Sequence, residues 1–238
     1  MRKKMHLAVA ALLLLCLTGC AGYEPETTAA PPASIPTTQA TTPKPVEVSP
    51  LAQEAFLDAE SSSSVRECPV EIVMLHFTSA VMLDRDHPYD YDLVRGIFQE
   101  NRLGIHYIID RDGKIFCFVP ESRAAWHAGR GSYQDEKYTN NMNQYSIGIE
   151  LMAIGSEEDM SIYLTPEEYA AVAQEHKGFT AAQYDAVAAL VADICSRREI
   201  PADRQHIIGH QSYNPAKNDP GELFDWGNFI SILKEKQG

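Results

Sequence analysis

Two histidines stand where short apolar strands run out. His76 falls near the end of Glu71-Ile-Val-Met-Leu-His-Phe, and His210 closes Gln205-His-Ile-Ile-Gly-His. Open α/β sheets build their sites at the carboxyl ends of strands, so the two imidazoles are expected at one location. The segment Lys217-Asn-Asp219-Pro-Gly adds a carboxylate held in a stiff turn. His, His and Asp with a water complete the tetrahedral shell of a catalytic zinc, which takes three protein ligands and keeps one position open. Taken alone, the two positions favour hydrogen-bonded core or edge histidines over ligands, the commoner fate of a buried imidazole. Glu150 is a second anomaly. In Ser146-Ile-Gly-Ile-Glu-Leu, alternation puts Ile147, Ile149 and Leu151 on one face and Ser146, Gly148 and Glu150 on the other. A carboxylate there requires a cation, a hydrogen-bond partner or a raised pKa; a salt bridge to a Lys or Arg would also satisfy it.

These side chains need a scaffold, and from about Val65 the pattern alternates strand and helix. The run at Glu71–Phe77 is nearly all apolar, as in a central strand covered on both faces. Asp92–Asn101 is a helix with Leu93, Ile97 and Phe98 at helical spacing. Residues 105–110 and 114–119 flank Asp112-Gly113, which predicts a hairpin with a tight type I′ turn. Glu121–Asn143, rich in Gly, Ser and Asn, reads as a long functional loop. Thr165-Pro-Glu-Glu opens a capped helix. Thr180–Arg198 carries the clearest helical periodicity, and Leu223–Lys236 a closing helix. The fold class is therefore α/β: a single domain over residues 65–238, with a mixed central sheet flanked by helices on both faces.

The rest of the 238-residue chain sets the context. Its 45% hydrophobic and 22% charged composition excludes collagen, coiled coil and multi-span membrane proteins. Residues 1–19 run from basic Arg2, Lys3 and Lys4 through an apolar stretch, about Leu7–Leu17, too short to span a bilayer, and end just before Cys20. That is an export signal. Without it the net charge moves from −13 to −16, which excludes nucleic acid as a partner. Residues 20–64 form a tether: 21–50 hold seven of the 14 prolines and three Thr pairs, and a short helix-like piece, Leu51–Glu60, with the run Ser61–Ser64 ends it. Cys68, Cys117 and Cys195 have no CxxC spacing, which rules out a Cys-rich zinc site. The last two sit on apolar faces, while export permits a disulfide through Cys68.

Seven motifs in order carry a family resemblance: Leu75-His76-Phe-Thr78, His106-Tyr-Ile-Ile-Asp-Arg-Asp-Gly113, Ala125-Trp126-His127-Ala-Gly129, Asn143-Gln-Tyr-Ser146-Ile-Gly-Ile-Glu150, Ile208-Gly-His210, Lys217-Asn-Asp219-Pro-Gly221 and Phe224-Asp-Trp226. Over about Glu71–Phe229 the chain resembles the type-2 N-acetylmuramoyl-L-alanine amidases, relatives of peptidoglycan recognition proteins and of a phage lysozyme with amidase activity. The resemblance implies that His76, His210 and Asp219 ligate Zn²⁺, that Glu150 is the catalytic acid/base and that Lys217 stabilises the developing oxyanion. It implies cleavage of the amide joining the lactyl group of N-acetylmuramic acid to L-alanine, in peptidoglycan or muropeptides. Trp126, His127 and Asn143 fit a substrate cleft, with packing or turn-holding as the alternative for Trp126 and Asn143. His106 reads as structural. Leu17-Thr-Gly-Cys20 resembles a lipoprotein lipobox, which implies an acylated Cys20 holding the protein outside the cytoplasm on a membrane facing the cell wall. A monomer is expected.

The chain also departs from its relatives. Ile105 stands where the phage enzyme and many recognition proteins have a tyrosine, so that phenol cannot assist catalysis, and Asp219 replaces their cysteine ligand. Ser212 stands where the bacterial recycling amidases often carry an Asp. Asp84, Asp86, Asp90 and Asp92 around His87 lack the Gly and terminal Glu of a calcium loop and read as solvated. Two rival functions are a peptidoglycan-binding module without catalysis and a zinc peptidase acting on the stem peptide.

Overall fold

The computed structural model describes residues 47–238. The expected signal, Cys20 and the tether as far as residue 46 lie outside the described residues. The strands are β1 (Gln53–Glu54), β2 (Ser63–Val65), β3 (Ile72–Phe77), β4 (Tyr107–Ile109), β5 (Ile115–Cys117), β6 (Arg123–Ala125), β7 (Ser146–Leu151) and β8 (Ile207–Gly209). Six of them form one mixed sheet in the order β1-β5-β4-β7-β3-β8, antiparallel only between β4 and β5. β3 is buried at all six positions between its parallel neighbours β7 and β8, as its unbroken apolar sequence requires.

Three longer helices cover the sheet: α1 (Tyr91–Asn101), α2 (Ala181–Arg198) and α3 (Trp226–Gln237). Val73, Leu75, Ile147 and Ile149 face Val187, Val191 and Ile194 of α2 and Phe229 and Leu233 of α3. On the opposite side, Ile105, Ile108 and Phe118 pack against Val94 and Phe98 of α1. Ile72, Met74 and Ile208 pack there against Ala128, Tyr138 and Met142. The expected layers are thus present. Local capping sets the helix starts: Asp90 accepts from Leu93 N, which draws α1 back to Tyr91, and Thr180 forms a capping box with Gln183.

Three expectations are corrected. The folded unit reaches back into residues 47–64, expected to be the end of the tether, and the helix-like piece expected over Leu51–Glu60 instead holds strand β1, with a single helical turn at Ala59–Ser62. Gln53 and Glu54 pair with Phe116 and Cys117, Ser49 N donates to Tyr107 Oη at 2.8 Å, and Leu57 is buried. Pro50 is compatible with this because it precedes a two-residue edge strand, and the serine run supplies a helical turn at Ala59–Ser62 and the start of β2. The β4–β5 hairpin closes through a three-residue loop rather than a two-residue type I′ turn. Asp110 Oδ1 accepts from Asp112 N and Lys114 N, and Gly113 alone takes positive φ, +82°. Finally, residues 121–143 contain β6, which pairs with β2, and a one-turn helix begins at Met142. Cys68, Cys117 and Cys195 are free; burial pushes the Cys195 thiol up to about 12.

Candidate metal centre and active site

The register of three parallel strands assembles the site. His76 is in register with Glu150 across β3 and β7, and β3 pairs Leu75 with Gly209, which sets His210 beside His76 at the carboxyl edge. The ring centroids of His76 and His210 are 4.6 Å apart. Asp219 Oδ2 lies 2.7 Å from His76 Nδ1 and 3.2 Å from His210 Nδ1. All three residues are buried, and one ligand atom from each lies within 4.8 Å of the others. Two imidazole nitrogens and one carboxylate oxygen converging from three segments form a set that can hold a metal ion. Burial weighs against a charged Asp219, but the contacts with His210 and His76 outweigh it and hold the carboxyl well below the usual range. Burial lowers the His76 pKa, opposed by its contact with Asp219.

The loop carrying Asp219 is clasped from one side. Buried Asp159 takes Glu222 N on Oδ2 at 2.9 Å, and its carbonyl accepts from Asn218 Nδ2 at 3.0 Å, bracketing Asp219. Gly221 is required here: its φ is +78°, and a Cβ would fall 2.4 Å from Asp159 Oδ2. Asp159 in turn is fixed by the capping box with Ser156.

Glu150 is half-buried and has no ion pair among the described residues, so the salt-bridge alternative is not realised. Burial, reinforced by the Asp219 charge and opposed by Lys217, raises its pKa well above the ordinary value. Lys217 is half-buried on the same loop as Asp219. A protonatable carboxyl therefore stands beside the His-His-Asp cluster with a cation close enough to influence it.

The residues expected in a substrate cleft divide. Trp126 keeps a half-buried indole, and its backbone pairs with Ser62 and Gly104. His127 and Asn143 turn inward. His127 Nδ1 is 3.0 Å from His76 Nε2 and its Nε2 is 3.1 Å from Ser146 Oγ. Asn143 Oδ1 accepts from His127 N at 3.2 Å and Ala128 N at 2.9 Å. Their polar groups are drawn in because the segment crossing the sheet here must satisfy its buried backbone and ring nitrogens. Burial, then the charges of His76, His106 and His210, lowers the His127 pKa well below normal. His106 is buried and structural: its Nδ1 accepts from Gly148 N at 3.0 Å.

Sequence reasoning passed over three participants. Ser146 and Asp159 are polar residues whose partners are distant in sequence, and only the Ser156-x-x-Asp159 capping pattern hinted at the second. Tyr163 is a half-buried phenol whose pKa is raised by burial and then by the charges of Asp219 and Glu150. In the acidic loop, Asp84 Oδ1 accepts from Asp86 N and His87 N, an Asx turn that supports the solvated reading.

A buried His-His-Asp cluster with a protonatable carboxyl beside it, at the carboxyl edge of parallel strands, is an arrangement able to hold a metal ion and to support metal-assisted hydrolysis. Residues 66–222 match the family model Amidase_2, N-acetylmuramoyl-L-alanine amidase, and the chain belongs to that family. It is similar to the 1,6-anhydro-N-acetylmuramyl-L-alanine amidase AmpD of Citrobacter freundii, 33% identical over 133 residues, which cover 56% of this chain and 58% of that protein. It is also similar to the N-acetylmuramoyl-L-alanine amidase AmiD of Escherichia coli K12, 26% identical over 179 residues, 71% of this chain and 55% of that protein. The chain thus spans a little over half the length of these relatives. A solved AmpD structure superposes with a TM-score of 0.55 at 25% identity, covering 78% of this chain and 96% of that one. An E. coli AmiD complex with the substrate anhydro-N-acetylmuramic acid-L-Ala-D-gamma-Glu-L-Lys shares the fold, with a TM-score of 0.52 at 23% identity over 71% of this chain and 60% of that one.

Proposed function

We propose that this chain is a zinc-dependent amidase that hydrolyses the bond between N-acetylmuramic acid and L-alanine in peptidoglycan or muropeptides. The observation that carries the reading is the convergence of His76 Nδ1, His210 Nδ1 and Asp219 Oδ2 on one buried point, with Glu150 in register beside His76. The donor set fits zinc. Two neutral imidazoles and a carboxylate are borderline-hard ligands, and the far nitrogens of both rings are engaged elsewhere, His76 Nε2 with His127 and His210 Nε2 with the Ala128 carbonyl at 2.9 Å. Zn²⁺ bound there would supply Lewis acidity, polarising the scissile carbonyl and acidifying water.

The chain's own residues do the rest. Glu150 takes a proton from the attacking water and returns it to the departing L-alanine amine, and its raised pKa makes the carboxylate a stronger base than an exposed glutamate. Lys217 places its ammonium where negative charge grows on the lactyl carbonyl oxygen. Atoms balance as hydroxyl added to the lactyl carbonyl and hydrogen to the amine. Hydrolysis of a soluble muropeptide in ¹⁸O-water tests this: label in the lactyl carboxylate supports the amidase, whereas label in a peptide carboxylate would assign a stem-peptide peptidase.

The sequence before the described residues supports a further part of the reading, that Cys20 is acylated and holds the domain outside the cytoplasm at a membrane facing the wall. Radiolabelled palmitate incorporated by the full chain and lost in Cys20→Ser is the expected result; label retained in that variant would contradict it.

A further inference from the structure

A hydrogen-bond chain behind His76 ends on a group that can only accept. Ser146 Oγ lies 2.7 Å from the Met142 carbonyl and must donate to it. Its lone pairs are then what His127 Nε2 meets at 3.1 Å, so Nε2 carries the His127 proton. Nδ1 of a neutral His127 is therefore a bare lone pair, 3.0 Å from His76 Nε2, and the proton between these nitrogens belongs to His76. A neutral imidazole protonated on Nε2 presents Nδ1 as its ligand atom, and His76 Nδ1 is the atom facing Asp219 and His210. His210 reaches the same tautomer in one step, because its Nε2 faces the Ala128 carbonyl at 2.9 Å.

We propose that His127 and Ser146 are positioning residues that fix His76 in its Nδ1-ligating tautomer, through the ordered sequence His76 Nε2–H to His127 Nδ1, His127 Nε2–H to Ser146 Oγ, and Ser146 O–H to the Met142 carbonyl. The ring of His127 is built into place. It stands edge-on to His76 at 5.1 Å and 87° and to His106 at 5.7 Å and 76°. Gly148 makes its room, since a Cβ there would fall 2.7 Å from His127 Cγ and Nδ1. Asn143 Oδ1 binds the backbone of both His127 and Ala128, so a single carboxamide registers the supports of the two ligating histidines. Direction in such a relay matters because an imidazole in the wrong tautomer offers a proton where the metal needs a lone pair.

This inference rests on the metal reading proposed above, and its test separates the two. In the purified full chain, zinc affinity is measured by competition with a chromophoric chelator, and the imidazole protons are assigned by long-range ¹H–¹⁵N correlation. Ser146→Ala is expected to weaken zinc by about 10- to 100-fold while leaving the metal-free near-UV circular dichroism intact, and Ser146→Thr to restore the affinity. In the wild-type chain His127 is expected to carry its proton on Nε2, a signature that a merely structural ring would not fix. Wild-type zinc affinity in both Ser146→Ala and His127→Gln, or a His127 proton on Nδ1, would overturn the relay. Should the Ser146→Ala chain not fold, the wild-type His127 tautomer decides alone. Absence of zinc binding by the wild-type chain would overturn the metal reading, and the His127 tautomer in that sample would still decide the relay.

Discussion

Glu150 and His76 stand opposite one another in the register of two parallel strands, β7 and β3. A carboxyl with a raised pKa and an imidazole of the His-His-Asp cluster therefore share one edge of the sheet, held by backbone hydrogen bonds rather than by loops. The pairing separates two functions that mutagenesis can address one at a time.

Glu150→Gln should keep zinc and lose turnover. The amide preserves the shape of the side chain without basicity, so kcat on a muropeptide is expected to fall by about 10²- to 10⁴-fold with zinc affinity near wild type. Turnover close to wild type would remove Glu150 from the mechanism.

The same variant makes a pH prediction for the metal-free chain. Because burial, then Asp219, raises the Glu150 pKa, the folded state holds that proton more tightly than the unfolded state does. Stability therefore falls as pH rises from the unfolded value of about 4.5 through the folded one. Glu150→Gln abolishes this loss, so its Tm should exceed wild type at pH 7 and converge with it at pH 4. Parallel Tm curves across that range would contradict the assignment.

Asp159→Ala should loosen the Asp219 loop. It removes the acceptor of Glu222 N and of the Ser156 capping box, a loss of about 1–3 kcal/mol by urea denaturation. Weaker zinc binding should accompany it, because Glu222 N, three residues after Asp219, loses its anchor, while the Asn218 bond to the residue-159 carbonyl remains. Unchanged affinity would show that the ligand is positioned without the clasp.

Glu121 is fully buried and receives Arg197, Arg198 and the Tyr107 hydroxyl. Glu121→Ala removes the buried carboxylate that Arg197, Arg198 and the Tyr107 hydroxyl share, Arg197 keeping Asp193 at 2.8 Å, and should cost about 3 kcal/mol in urea. A loss under about 1 kcal/mol would mean that the arginines find other acceptors.

A chain beginning at residue 63 should be less stable than one beginning at 47. It gives up the buried side chain of Leu57, the Ser49–Tyr107 bond and the β1 pairing, together about 3 kcal/mol. Equal unfolding midpoints would show that residues 47–62 add nothing.

The sheet and the meeting of His76, His210 and Asp219 at its edge were legible because they rest on local pattern. Alternation placed Glu150 opposite the apolar face of β7, and apolar runs ending in His marked β3 and β8. What escaped depends on contacts between distant segments. Residues 47–64 lack periodicity because β1 is only two residues long, and their anchor is the hydroxyl of Tyr107, 58 positions away from Ser49. His127 sits in a Gly-rich stretch that reads as an open loop, yet its partners Ser146 and His76 lie under it, and Asn143 bonds the backbone of His127 and Ala128. Polarity alone does not tell a side chain that faces substrate from one that holds a ligand.

The central claim is tested most directly by mass spectrometry of purified peptidoglycan digested with the zinc-loaded chain, beside a chelator-treated sample. Free stem peptides beginning with L-alanine, absent after chelation and restored by zinc, are the predicted result. Intact peptidoglycan in the zinc-loaded sample, or peptides lacking their N-terminal L-alanine, would contradict it.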